Sequence, residues 1–329
     1  MNFSSDLSNS PEYQSFRATV PLKKLAVDTD ASKTWKLYDA GPRQVTSPLV
    51  CLAPVSGTAD IFYKQMLYLT ARGIRVLSVE SPIYWSVSDW CEGFRRLLDH
   101  LDIERVHLFG ASLGGFLAQK FAESTAQYSR VASIILSNAF LETSIFNFND
   151  TATLFWILPG PVLKKLVMGN IKSESVTELR VAQSMEFIIE RLDTLSQQEL
   201  ASRLTLNCVN CQVDPFKLKN MPMTIIDVFD ESALSMQARA SLRSHYGHAK
   251  LAHLKTGGNF PYLSRSDDVN MHLLVHLRQF SSNSRYSAQK PAEQESQNDQ
   301  PESNAKNELA EEMGVGDSTS AAEVATEAS

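Results

Sequence analysis

The stretch of this chain equipped for chemistry is Gly110-Ala111-Ser112-Leu113-Gly114. A short apolar run, Val106 to Phe109, precedes it, and apolar residues recur with helical spacing from Leu113 onward. A strand, a sharp turn carrying serine and a helix make up the G-x-S-x-G nucleophile elbow. Gly110 and Gly114 leave room for a strained backbone at Ser112 and for close packing of helix on strand. The amide of Leu113 opens the helix, where a developing oxyanion meets an N–H and the positive end of the helix dipole. A second such amide is expected at Val55, on the loop that follows the apolar run 48–53.

A serine at this turn cleaves esters or amides only with a histidine base and an acid that orients it, in the chain order Ser, Asp/Glu, His. Residues 223–228 read as a strand, and Asp230 follows it where the acid belongs; Asp230 equally suits a turn. Asp227 is a second carboxylate, nearer the strand itself. The base is expected on the Gly-rich loop after the last strand, Thr256-Gly257-Gly258-Asn259-Phe260-Pro261. The residue there is Asn259, whose amide has no basic lone pair near neutral pH. His100, His107, His245, His248 and His253 sit on or beside strands and helices away from that loop. His272 and His276 are four residues apart on a helix, a spacing that suits zinc but that packing explains as well. Cys208 and Cys211 form a lone C-x-x-C with no further ligands at the usual spacing. No metal and no cofactor are implied. Ser112 without its base retains at most a small residue of activity.

The elements that position these residues alternate. Strands are expected at 18–27 and 33–38 as a hairpin, then at 48–53, 74–79, 106–111, 131–136, 223–228 and 251–254. Amphipathic helices are expected at 58–71, 90–101, after the elbow, at 233–245 and at 268–280. This order predicts an α/β fold, a mostly parallel sheet covered by helices on both faces. Residues 140–221 interrupt it with helical stretches and no convincing strand, which suits a lid over the elbow. Within the lid, 153–167 is unusually apolar and suits either packing onto the sheet or a partner- or membrane-contacting face.

Composition sets the outer bounds. The 329 residues, 43% hydrophobic with four tryptophans, suffice for a sizeable core, and a formal charge of −6 argues against a nucleic-acid partner. There is no uninterrupted apolar run of the roughly 18 residues that span a membrane. The first eleven residues lack the apolar core of a signal peptide, so a cytosolic chain is expected. Residues 1–15 are expected to be flexible, 16–282 to form the folded domain, and 283–329, acidic and almost without aromatics, to be a disordered tail.

Five stretches carry a resemblance: Thr19-Val-Pro-Leu-Lys-Lys24, Leu52-Ala-Pro-Val-Ser-Gly-Thr-Ala-Asp60, His107-Leu-Phe-Gly-Ala-Ser-Leu-Gly-Gly-Phe-Leu-Ala-Gln-Lys-Phe121, Glu199-Leu-Ala-Ser-Arg-Leu-Thr-Leu-Asn-Cys208 and Ala252-His-Leu-Lys-Thr-Gly-Gly-Asn-Phe-Pro-Tyr262. In these the chain resembles the maspardin family of α/β-hydrolase-like proteins. The resemblance covers about residues 12–280 and leaves the acidic tail outside. It implies the α/β-hydrolase fold with a helical lid, and a non-catalytic adaptor in the cytosol and, peripherally, at endosomal and trans-Golgi membranes. It also implies a protein partner of the receptor-tail type, in particular a T-cell co-receptor's cytoplasmic tail. Hydrolases of this fold commonly carry His-Gly after the strand at 48–52 and Gly-x-Gly-His-Phe-Pro on the last loop. Ala53-Pro54 and Asn259 depart from both patterns. Two functions therefore stand: a binding protein on a hydrolase scaffold, and a weak or atypical serine hydrolase that uses Ser112.

Overall fold

Eight segments become strands: β1 Lys23–Ala26, β2 Thr34–Ala40, β3 Leu49–Leu52, β4 Val76–Glu80, β5 Val106–Ala111, β6 Val131–Ser137, β7 Met223–Val228 and β8 Lys250–Leu254. They join in one sheet in the order β1-β2-β4-β3-β5-β6-β7-β8. β1, β2 and β4 pair antiparallel, and every other neighbour pair is parallel. In chain order the helices are α1 Pro11–Thr19, α2 Tyr63–Thr70, α3 Val87–His100, α4 Leu113–Ser124, α5 Gly160–Ile171, α6 Leu179–Asp193, α7 Gln197–Cys208, α8 Met236–His245, α9 Pro261–Ser264 and α10 Ser266–Ser281. The computed structural model describes residues 6–28, 31–146, 152–171 and 178–281, and these belong to the unit Met1–Ser284.

Strands β3 to β7 are buried throughout, as central strands covered on both faces must be. Alternate residues point to opposite layers. Leu49 and Cys51 pack with Tyr63, Met66 and Leu69 of α2 and with Val269, Leu273 and Leu277 of α10. Val50 and Leu52 pack with Phe94, Leu97 and Leu98 of α3 and with Phe116 and Phe121 of α4.

The N-terminus differs from expectation. Residues 1–15 are expected to be flexible, yet Leu7–Asn9 forms a 3-10 turn and Pro11–Thr19 a helix. Ser10 caps that helix through Tyr13 N and Pro11 occupies its first turn, where a missing N–H costs nothing. Tyr13 and Phe16, three residues apart, are buried against Tyr63 and Tyr38. Consequently β1 begins at Lys23 rather than near residue 18. The acidic tail, expected at 283–329, lies outside the described residues.

Between β6 and β7 the chain builds α5, α6 and α7, and no strand intervenes among the described residues. A single bridge, Glu142 with Gln212, closes the base of this insertion. Helix α7 starts with a capping box, Ser196 bonding Glu199 N and Glu199 bonding Ser196 N.

Candidate functional site

Ser112 lies between β5 and α4 with φ 49° and ψ −117°, a left-handed conformation that costs a non-glycine residue on the order of 1–3 kcal/mol. Its neighbours enforce it. Ser112 N donates to Ser137 O at 3.0 Å, while Ser112 O accepts from Gly115 N at 2.9 Å and Phe116 N at 3.0 Å. A Cβ on Gly114 would sit 2.1 Å from Leu52 O, and one on Gly110 would sit 2.4 Å from Gly114 O. Both contacts are with backbone, so the turn closes this tightly only with glycine at the two positions. Leu113 packs its side chain into the core, and its amide is among the first-turn N–H groups that have no intrahelical partner.

The loops that follow β6, β7 and β8 meet beside this serine. Asp230 accepts from Gly257 N at 2.8 Å and from Gly258 N at 3.0 Å. Asn259 Oδ1 accepts from Ala233 N at 2.6 Å. Asn138 follows β6 in a left-handed conformation, and its Nδ2 donates to Gly258 O and Asn259 O, both at 3.1 Å. The carboxylate that would orient a histidine thus braces the loop backbone, and the residue in the histidine's place fastens that loop to 233. Asp227 belongs to a different arrangement, buried and ion-paired with Arg239 and Arg243 of α8.

Over Ser112 lies a cavity of about 150 Å³. Val55, Ser56, Ala111, Ser112, Asn138 and Asn259 supply its floor and sides. The insertion supplies its roof, with Leu166, Val167 and Ile171 from α5 and Leu204, Asn207 and Cys208 from α7. Among the described residues, no histidine, acid, lysine or arginine lines it. Cys208 is the one titratable side chain that the described residues place in the wall, and burial pushes its thiol up to about 11.

An ionic clamp holds the roof. Arg203 of α7 donates to Gly57 O at 2.5 Å and Val55 O at 3.3 Å, and pairs with Glu80 at 3.3 Å. Lys36 of β2 joins Glu80 at 3.0 Å to Glu199 at 2.9 Å. Burial alone pushes the Glu199 carboxyl up, but its bonds from Lys36 and Ser196 prevail and bring it down to about 2. Arg203, Asn138 and Asn207 carry no local sequence signal, because their partners lie on other elements.

Of the remaining histidines, His100, His245, His248 and His253 are exposed, His272 is half-buried, and His107 and His276 are packed in the interior. His276 is buried with Nδ1 2.8 Å from Thr224 Oγ1, and His107 is buried with Nδ1 2.7 Å from Ser133 Oγ. Burial holds each imidazole down at about 4. Among the described residues no group of three metal-ligating side chains assembles, and all four cysteines are free thiols. No helix among the described residues is long and apolar enough to cross a membrane.

The comparisons with known proteins agree with this architecture. A family model for the alpha/beta hydrolase fold matches residues 55–163. Among solved structures, a hydrolase from Pseudomonas aeruginosa superposes with a TM-score of 0.62 over 78% of this chain and 98% of its own, at 18% identity, which speaks to the fold alone. Maspardin from Mus musculus is 56% identical over 275 residues, 84% of this chain and 89% of that protein. Maspardin from Danio rerio is 54% identical over 282 residues, 86% of this chain and 90% of that protein. The chain belongs to the maspardin family, which is built on the α/β-hydrolase fold.

Proposed function

We propose that this chain works by binding rather than by hydrolysis, as a non-catalytic adaptor on a hydrolase scaffold. The observation that carries the reading is the loop 257–259. Asn259 stands where the base belongs and spends its amide oxygen on Ala233 N, while the Asp230 oxygens are taken up by the Gly257 and Gly258 amides. A serine deprived of its base loses on the order of 10⁴-fold or more in turnover. p-Nitrophenyl butyrate hydrolysis by the natural chain is therefore expected to equal that of Ser112→Ala. Turnover that depends on Ser112 would establish the alternative, a weak or atypical serine hydrolase, which the intact strained elbow favours.

The partner in this reading is a protein of the receptor cytoplasmic-tail type, a T-cell co-receptor tail among them. It is met in the cytosol and at endosomal and trans-Golgi membranes with which the chain associates peripherally. The lid supports it. Phe155, Leu163 and Val167 turn inward, leaving Leu154, Trp156, Ile157 and Val162 about half exposed, an apolar grouping of the kind that marks interaction sites. Cross-linking of the chain to a co-receptor tail peptide is expected to map to 154–165. Cross-links confined to the opposite end of the sheet would overturn the adaptor assignment.

A further inference from the structure

The sheet ends in two unequal edges. At one end β1 carries Lys23 and Lys24, the kind of charge that commonly shields an exposed edge. At the other end β8 runs Lys250-Leu-Ala-His-Leu254 in unbroken register with β7, with no acid or proline, and among the described residues no second strand pairs with it. Leu254 O accepts from Phe229 N on the β7 side. Main-chain groups alternate along a strand, so the N–H and C=O of Leu251 and His253 point away from the sheet. Apolar side chains accompany them: Leu251 is 47% exposed and Phe229 68%, with the Phe229 ring stacked on His253 at 5.0 Å. On the other face of the sheet Lys250 Nζ donates to Gln279 Oε1 of α10 at 2.5 Å, so this side of α10 looks toward β8. Val275, one turn earlier on the same side, is 52% exposed. Asp268, two turns earlier again, and Arg278, beside Gln279, are exposed as well.

We propose that β8 is a dimer seam, at which two copies of this chain pair their β8 strands antiparallel about a two-fold axis at Ala252 and continue one sheet across both. A two-fold interface must be self-complementary, and this edge is. With the axis at Ala252, Leu251 of one copy lies opposite the partner's His253, and the outward main-chain groups of both residues bond reciprocally. Each Leu251 then meets the stacked rings of His253 and Phe229, an aliphatic-on-aromatic cross-strand pair. The helices agree with the same axis. Thr224 is in register with Lys250 and bonds His276, so Ala252 stands level with about Leu273, midway between Asp268 and Arg278. The two α10 helices therefore run antiparallel across the seam, with Asp268 of each toward Arg278 of the other and Val275 between. The chain's own residues 282–329 suit this edge poorly. They carry ten acids and one aromatic, Tyr286, a composition that favours neither a strand nor an apolar seam.

Sedimentation equilibrium of the full chain, from low to high micromolar concentration, is the test. The average mass is expected to rise toward twice the 36.6 kDa of one chain, while hydrogen exchange in 250–254 slows as concentration rises. His253→Pro removes an outward N–H and leaves the bonds to β7 in place, a change that an edge strand accepts, and should weaken association at least about tenfold. Leu251→Lys charges the seam and should act in the same direction. Circular dichroism checks the fold of each variant. Asp268→Lys and Arg278→Glu should each weaken association roughly fivefold, and the two combined should restore it. A single-chain mass at every concentration, or association indifferent to both His253→Pro and Leu251→Lys, would overturn the proposal. So would failure of the double variant to restore association. Protection of 250–254 that is the same at all concentrations would overturn it too, since residues of the same chain would then cover the edge. None of these readings depends on whether Ser112 turns over, so this proposal and the non-catalytic reading fail separately.

Discussion

At the scale of single residues, loss of catalysis here is a matter of re-employment. Asp230 and Asn259 still hold their loops, but through backbone amides rather than through an imidazole. The elbow keeps its glycines for a steric reason that is independent of chemistry. Gly114→Ala would drive a methyl into Leu52 O, and urea unfolding is expected to show a loss of about 3 kcal/mol or more. A loss below about 1 kcal/mol would mean that helix and strand have slack at this turn. Asn259→His supplies an imidazole next to an acid and a poised serine, so labelling by a fluorophosphonate is expected to appear in that variant and to vanish when Ser112→Ala is added. If Asn259→His stays silent, the Asp230 carboxylate is too firmly held by Gly257 and Gly258 to orient it.

At the scale of elements, the lid is fixed to the sheet by charges buried at its inner edge. Arg203 reaches from α7 to Gly57, Val55 and Glu80. Arg203→Met leaves the Glu80 carboxylate with Lys36 and the Ala59 amide, and removing one partner of a buried pair is expected to cost about 3 kcal/mol. Hydrogen exchange should show faster opening in 197–208 than in the β5–β6 pair, and uniform loss of protection would contradict a clamp local to the lid. By contrast, Trp156→Ser with Ile157→Ser removes surface side chains, so stability should stay within about 0.5 kcal/mol while tail-peptide binding falls. These elements differed in how far the sequence disclosed them. The elbow, the alternation and the insertion are legible because each rests on local periodicity or a five-residue spacing. Helix α1 is not, since its apolar face is just Tyr13 and Phe16 in a polar segment. The cavity's asparagines are invisible for another reason: Asn138 and Asn207 acquire meaning only when β6 and α7 come together.

At the scale of the whole molecule, two buried histidines make stability depend on acid. His107 and His276 are held at about 4 by burial, with the His276 charge and then Arg105 adding to the effect at His107, and Lys250 at His276. Both bind protons in the unfolded chain near pH 6.5 and in the folded chain only near pH 4, so folding excludes protons across that window. Their joint contribution, on the order of 3 kcal/mol or more, is complete above pH 6.5 and is lost as pH falls toward 4. The unfolding free energy should therefore drop steeply over this range, and less steeply in the double variant His107→Gln, His276→Gln. Equal slopes would place the acid sensitivity elsewhere. The central claim, that the molecule keeps the hydrolase frame and its elbow but binds instead of cleaving, is tested most directly by exposing the natural chain to a fluorophosphonate and reading Ser112 by mass spectrometry. The account predicts an unmodified Ser112 under conditions that fully label an active serine hydrolase; stoichiometric modification at Ser112 would contradict it.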